Sequence, residues 1–226
     1  MERPIITVPR ALVRDMRMTW RPEWRGQEAG VSIGGNPLGV VNAFPRWIGD
    51  VRFPLHQAQI RRWRAVQAQG QGRLGIYRMW INDPVAFSWI TAAGSRARTG
   101  LPFGNGQYMA TGQGVAFTPM ALTVGAVPAG ATEFRIDVSP CGIAPVEGQI
   151  MSHDDWPFTV TWVQPVSGTI YDIGVQMLRP AIADGGIIHM QAFGRFELRD
   201  EGQGDPSYDA SHHSVVSVSF QEVLRR

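Results

Sequence analysis

The amino-acid sequence predicts a mainly β protein, a β-barrel or sandwich with one packed α-helix at about residues 54–69 and a second β-rich domain. Three observations predict it. Short apolar runs recur along the chain, separated by Gly, Pro and Asp. Several of these runs alternate apolar and polar residues with the period of two that a half-buried strand requires. Only one segment carries a helical period.

Residues 3–8 form a short extended start closed by Pro9, and the Trp- and Gly-rich stretch 19–41 reads as strands joined by long turns, broken at Gly34-Gly35 and Asn36-Pro37. Trp47 to Phe53 is a further strand. The helix follows, with Pro54 suited to its first position because the missing N–H costs nothing there. Leu55, Ala58, Trp63 and Val66 share one face at 100° per residue, Gln57, Arg61 and Arg64 lie opposite, and Ile60 falls off the apolar face. Gly70 and Gly72 end it.

Leu74–Asn82 and Val85–Ile90 are apolar runs split by Asp83-Pro84, and residues 94–114 read as a long Gly-rich arm. Thr132–Val138 places Phe134, Ile136 and Val138 on one face. Phe158, Val160 and Trp162 repeat the pattern, and Thr169–Leu178, Ile187–Leu198 and Val215–Leu224 complete the set. The Gly-, Asp-, Pro- and Ser-rich run Asp200–Ser214 reads as a linker. A lone apolar strand after a linker must pair with something already built. The expected organisation is therefore residues 1–109 plus 207–226 as an N-terminal β-barrel carrying the helix, with residues 110–206 inserted as a second β-rich domain.

Composition narrows the function classes. The 226 residues are 44% hydrophobic and 18% charged, a globular balance. No apolar stretch is long enough to span a membrane, and no secretory signal is visible at the N-terminus. One cysteine, Cys141, excludes an internal disulfide or a cysteine-rich metal site. All 21 basic residues are Arg, the better residue for bidentate pairing and for protein interfaces. Residues 1–100 carry 15 Arg against 6 acids and residues 101–226 carry 6 against 13. Such a chain can pair with copies of itself, or its halves can neutralise each other within one molecule. The cluster Arg61, Arg62 and Arg64 reads as a solvated helix face rather than a nucleic-acid reader.

The candidates for chemistry are weak. His153-Asp154-Asp155 beside Trp156 offers a general base with a carboxylate orienter, but three polar residues between strands are more simply a hairpin turn. Calcium at Asp154 and Asp155 is the ion hardest to exclude. His212 and His213 with His189 lack ligand spacing. No nucleophile elbow, phosphate loop or dinucleotide fingerprint occurs, and Gly104-Asn105-Gly106 has no helix after it. No catalytic residue, metal ligand or cofactor is expected.

An ordered set of segments resembles a family of siphophage minor tail proteins. It runs from Trp47–Phe53 and Pro54-Leu55 through Trp63 to Gly72-Arg73-Leu74-Gly75-Ile76-Tyr77-Arg78 and Gly100-Leu101-Pro102-Phe103-Gly104-Asn105-Gly106. It continues with Leu122-Thr123-Val124-Gly125-Ala126, Gly148–Trp156, Phe158–Val163, Leu178-Arg179-Pro180-Ala181, Asp184-Gly185, Phe196-Glu197-Leu198 and Phe220-Gln221-Glu222. The likeness covers the chain from about residue 40, while residues 1–40 match nothing in that family. It implies a distal tail protein of the virion, a non-enzymatic β-barrel belt forming a six-fold ring at the distal end of the tail. Its implied partners are copies of itself in a homo-hexamer, the tail tube protein, the tip hub protein and the tape-measure protein, with DNA only in transit and no membrane.

Rings of this kind need long loops that reach a neighbouring copy. On that ground Trp20, Trp24, Ile33, Phe103 and Tyr108 are the candidate subunit contacts. The alternatives are another tail structural protein such as the tube subunit, a carbohydrate- or receptor-binding β-sandwich with Trp24 or Trp156 stacking on sugar, and a small hydrolase using His153 and Asp155.

Overall fold

In the computed structural model the chain is mainly β with one long helix. Residues 3–13, 16–24, 27–31, 34, 37–40, 44–83, 86, 99–207 and 213–225 are described. Ile33, His212, all of the expected strand Val85–Ile90 except Ala86, and the start of the 94–114 arm lie outside them. The chain divides into two compact units, Met1–Trp80 with Gly194–Arg226, and Ile81–Phe193. These boundaries differ from those expected at residues 110 and 206, because the arm after Thr99 belongs to the inserted unit and most of the strand after Phe193 belongs to the first.

The first unit is built on a six-stranded sheet. Its strands are β1 (Ile5–Thr7), β2 (Arg17–Glu23), β5 (Arg46–Leu55), β6 (Ile76–Trp80), β13 (Phe193–Leu198) and β14 (Ser214–Glu222). Their spatial order is β1-β6-β13-β14-β5-β2, so this sheet has two edges and is not the closed barrel expected for the N-terminal domain. β3 (Gln27–Val31) and β4 (Pro37–Val40) form a separate two-stranded hairpin. A four-residue helix, α1 (Arg10–Val13), follows β1.

Alternation decides the faces. Along β5, Val51, Phe53 and Leu55 are buried while Asp50, Arg52 and Pro54 are exposed. β14 matches it, with Val216 opposite Phe53 and Val218 opposite Val51. Arg3 anchors the start of the chain: its guanidinium donates to the Leu74 carbonyl at 2.9 Å and meets the Glu197 carboxylate at 2.8 Å.

The helix α2 spans Gln57–Gly70, not 54–69. Pro54 sits in β5 instead of opening the helix, because β2 pairs with β5 only as far as Arg52. The proline therefore meets no β2 ladder that its missing N–H would break. His56 caps the helix, and its N–H donates to the Gln59 side chain at 3.0 Å. The buried face is Ile60, Trp63, Val66 and Gly70, so Ile60 lies inside and Ala58 is exposed, the reverse of the expected pattern. Trp63 packs edge-on against Phe53 at 4.8 Å, and its indole N–H donates to the Gly204 carbonyl at 2.7 Å. Asp200–Ser214 is consequently no free linker at its start. Its described start, as far as Asp205, is a strap held on the helix, with Gln67 also reaching Asp205 at 3.2 Å.

The second unit is a closed barrel of β7 (Met120–Thr123), β8 (Glu133–Asp137), β9 (Ile150–His153), β10 (Trp156–Ser167), β11 (Ile170–Gln176) and β12 (Ile187–His189). Their order is β10-β11-β8-β7-β12-β9. Closure leaves no open edge, the simplest protection against edge pairing. Ile136, Phe158, Val160, Ile173 and Ile188 fill its interior. Two buried polar residues are used as staples. Gln149 donates to the Met190 carbonyl at 2.6 Å and accepts from the Val146 N–H, and Ser152 Oγ accepts the Phe193 N–H at 2.9 Å. Cys141 is buried in that core beside Val138, a packing role.

Candidate interaction surfaces

Among the described residues, the longest exposed run lies in the arm that precedes β7. Leu101 and Val115 exchange two backbone hydrogen bonds of 2.8 Å at its base. Farther out, the Phe103 N–H reaches the Gln107 carbonyl and the Met109 N–H reaches the Gln113 carbonyl, both at 2.8 Å. Every residue from 102 to 113 is exposed. Phe103 and Tyr108 are 41% and 44% accessible, and Met109 and Val115, which sequence reading missed, are 50% and 49% accessible. From Thr99 to Thr132 the chain has no charged side chain. A self-bonded arm that shows aromatic and amide groups without charge has the composition of a contact loop.

The remaining contact candidates divide. Trp24 lies just after β2 and is 52% exposed. Trp20 is committed within its own unit: its ring lies over Gly49, where a Cβ would collide with it, and tilts against Phe196 at 4.3 Å. It serves packing more than contact, a role hidden in the sequence because the register that sets Trp20 opposite Gly49 cannot be read from composition.

The outer face of the β2–β5–β14 sheet carries a second surface. The register sets Arg17 opposite Arg52, and Arg52 opposite Ser217 on β14. The next row is Thr19, Asp50 and Ser219, with the Ser219 hydroxyl donating to Asp50 at 2.8 Å. A shallow concavity of about 490 Å³ opens over these residues.

The described titratable groups singled out above lie in a hairpin turn and in ring contacts. His153, Asp154, Asp155 and Trp156 form the two-residue hairpin between β9 and β10, with Asp154 and Asp155 at φ of 46° and 62°. Both central residues are left-handed, the geometry that suits a hairpin's twist, and Asp tolerates it better than most residues. The His153 imidazole lies 2.8 Å from the Ile187 carbonyl through Nδ1 and 3.4 Å from Asp154 through Nε2. The adjacent hydroxyl, Ser152, is buried and accepts the Phe193 N–H. His189 packs edge-on against Phe193 and His213 edge-on against His56, each within its own unit. Among the described residues no three His, Cys, Asp or Glu side chains converge as metal ligands, and no helix is long and apolar enough to cross a membrane.

Charge follows the division into units. The first unit has 17 Arg against 11 acids and the second has 4 against 8, net +6 and −4. In the second unit Arg135 and Asp172 form a bidentate pair at 2.7 and 2.9 Å that holds the Asp172 carboxyl below its ordinary pKa. Hydrogen bonds from Thr169 and Ser139 do the same for Asp137. No protein-family model matches the chain, and no curated protein matches it.

Proposed function

We propose that the chain is a non-catalytic structural protein of a long-tailed phage, a ring-forming distal tail protein that joins the tail tube to the tip hub around a central channel. The ordered resemblance from residue 47 to residue 222 is the ground for placing it in a tail. The observation that carries its role as an assembly part is the arm at residues 99–115. It is charge-free and internally hydrogen-bonded, is exposed from residue 102 to 113, and displays Phe103, Tyr108 and Met109. The opposite charges of the two units, +6 and −4, fit head-to-tail contact between copies.

Native mass measurement and negative-stain images of the protein, alone and with its tail neighbours, test this reading. Six-fold rings are expected. A protein that stays monomeric within assembled tails refutes it, and one that polymerises alone into long tubes is a tube subunit instead. A receptor- or carbohydrate-binding role is the second reading. It is favoured by Phe103 and Tyr108 standing beside Asn105 and Gln107 on the arm. Glycan binding by a monomer, lost on Tyr108→Ala, would establish it.

A further inference from the structure

One tryptophan of the barrel stands outside its core. Trp162 on β10 is 37% exposed, and the strand register places it opposite Gly174 on β11, with Gly174 opposite Glu133 on β8. The indole covers Gly174, whose missing side chain makes the room: a Cβ there would collide with Nε1 and Cδ1 of the ring. One side of the ring is therefore set down on the sheet and the other is open to solvent. A single exposed aromatic is ordinary on a protein surface. The groups around this one set it apart.

Alternation turns Phe134, Ile136, Val160, Ile173 and Val175 into the barrel, so Glu133 and Trp162 share its outer face with the next row, Arg135, Asp172 and Gln164. Arg135 and Asp172 neutralise each other through their two bonds of 2.7 and 2.9 Å. The side chains of Glu133, Gln164 and Trp162 make no hydrogen bond or ion pair with another described residue. A flat aromatic surface is thus bordered by a free carboxylate, a free amide and a free indole N–H. Two strand spacings and one side-chain repeat give the patch a size of roughly 10 Å by 7 Å.

Charge decides among occupants. With the Arg135–Asp172 pair closed, Glu133 is the one uncompensated charge in these two rows, so phosphate chains and other anions are disfavoured. A metal cation finds a single carboxylate, too few ligands to hold it. An uncharged molecule with an apolar face and a rim of hydroxyls fits. A pyranose sugar with equatorial hydroxyls has that form: its C–H groups present a flat face to the indole, and its hydroxyls point sideways toward acceptors and donors such as carboxylate and amide.

We infer that the outer face of the barrel at Trp162 binds a neutral β-linked oligosaccharide, with one sugar ring stacked on the indole and its hydroxyls held by Glu133 and Gln164. This goes beyond the assembly role and does not depend on it. The place differs from Trp156, where the Arg179 guanidinium lies over the ring at 5.5 Å, and from the arm that carries Tyr108.

Cellotetraose and chitotetraose, added to the full chain, are the probes. In indole ¹H–¹⁵N spectra at least one of them should shift one signal above all others, the signal missing from Trp162→Phe. Affinity measured by calorimetry should fall at least about tenfold in Trp162→Ala, the scale of losing a well-placed aromatic contact. Gln164→Ala should also weaken binding while leaving the Trp162 signal of the free protein in place, so that its loss is not one of folding. Added salt should change the affinity little, because the ligand carries no charge. No shift with either probe overturns the inference. So does affinity unchanged in Trp162→Ala or in Gln164→Ala, binding lost on Tyr108→Ala instead, or a Trp162 signal that answers to duplex DNA and not to sugar. Ring formation is scored separately by particle images: rings without sugar binding overturn this site alone, and sugar binding at Trp162 by a chain that never forms rings overturns the ring reading alone.

Discussion

Replacing Trp63 by alanine removes the largest side chain of α2 from a site where it is 1% exposed. Three interactions go with it: the burial of the indole, the edge-on contact with Phe53 at 4.8 Å, and the N–H bond to the Gly204 carbonyl at 2.7 Å. Loss of a large buried aromatic costs about 3–5 kcal/mol. The last interaction closes a sequence separation of 141 residues, so its loss also releases the strap that follows β13. Trp63→Phe separates the terms. It keeps most of the packing but leaves the Gly204 carbonyl without its donor, an effect of about 1–3 kcal/mol. Arg64→Ala, on the exposed face, should change stability by no more than about 0.5 kcal/mol. Amide exchange read segment by segment in urea is the suitable assay, because two units need not unfold in one transition. Protection should fall in α2, β5 and β14. Small and equal losses for Trp63→Ala and Arg64→Ala would refute the reasoning, since they would mean that the helix is not anchored through this ring.

Gly49→Ala should displace Trp20 from Phe196 and cost about 1–3 kcal/mol, the usual range for overpacking, with a changed near-ultraviolet circular dichroism spectrum as its mark. Asp172 and Asp137 have lowered pKa values when folded, so the stability they contribute is present above the ordinary carboxyl value of 3.8 and is lost as pH falls through their folded values. The barrel should therefore lose stability below about pH 4, and Asp172→Asn should flatten that acid limb in pH-dependent thermal melts by slightly lowering the melting temperature near neutrality while leaving the acid end unchanged. Joining Trp80 to Gly194 by a short linker should leave a folded first unit, and residues 81–193 should fold alone as the barrel. Truncation after Gly204 removes β14 from between β13 and β5 and should unfold the first unit, which far-ultraviolet circular dichroism and proteolysis can follow.

Much of the local structure was legible because burial on one face leaves a period in the sequence. Phe134, Ile136 and Val138 announce β8, and Val216, Val218 and Phe220 announce β14. What period alone does not show is which strands become neighbours. Ile187–Leu198 reads as one strand but is divided between β12 of the barrel and β13 of the first sheet, a change of partner that alternation does not record. Pro54 misled for a related reason: the residue that suits a helix start also suits a strand position where the neighbouring ladder has ended. The interaction surfaces divide the same way. Exposed Phe103 and Tyr108 follow from a long charge-free, Gly-rich run. The Arg17–Arg52 pair exists only through the register of β2 on β5, and neither residue is distinctive among 21 arginines.

The insertion of one unit into the other also bears on how such a chain folds. β6 and β13 are neighbours in the first sheet, yet the whole barrel, residues 81–193, lies between them in sequence. If that segment were flexible, bringing its ends together would cost about 4 kcal/mol from the logarithmic closure term alone. A folded barrel removes most of that cost, because the Ile81 N–H already donates to the Ala192 carbonyl at 2.9 Å and so holds the two ends side by side. β14 adds a second long-range demand, since its partner β5 lies more than 150 residues earlier in the chain. Contacts of that separation form slowly unless something shortens the effective loop. The barrel, in which three of six strand pairs join consecutive strands and all lie within residues 81–193, is the element able to shorten it. Its formation first, followed by β6–β13 pairing and then by closure of β14 onto β5, is the order in which each step meets the smallest remaining entropy.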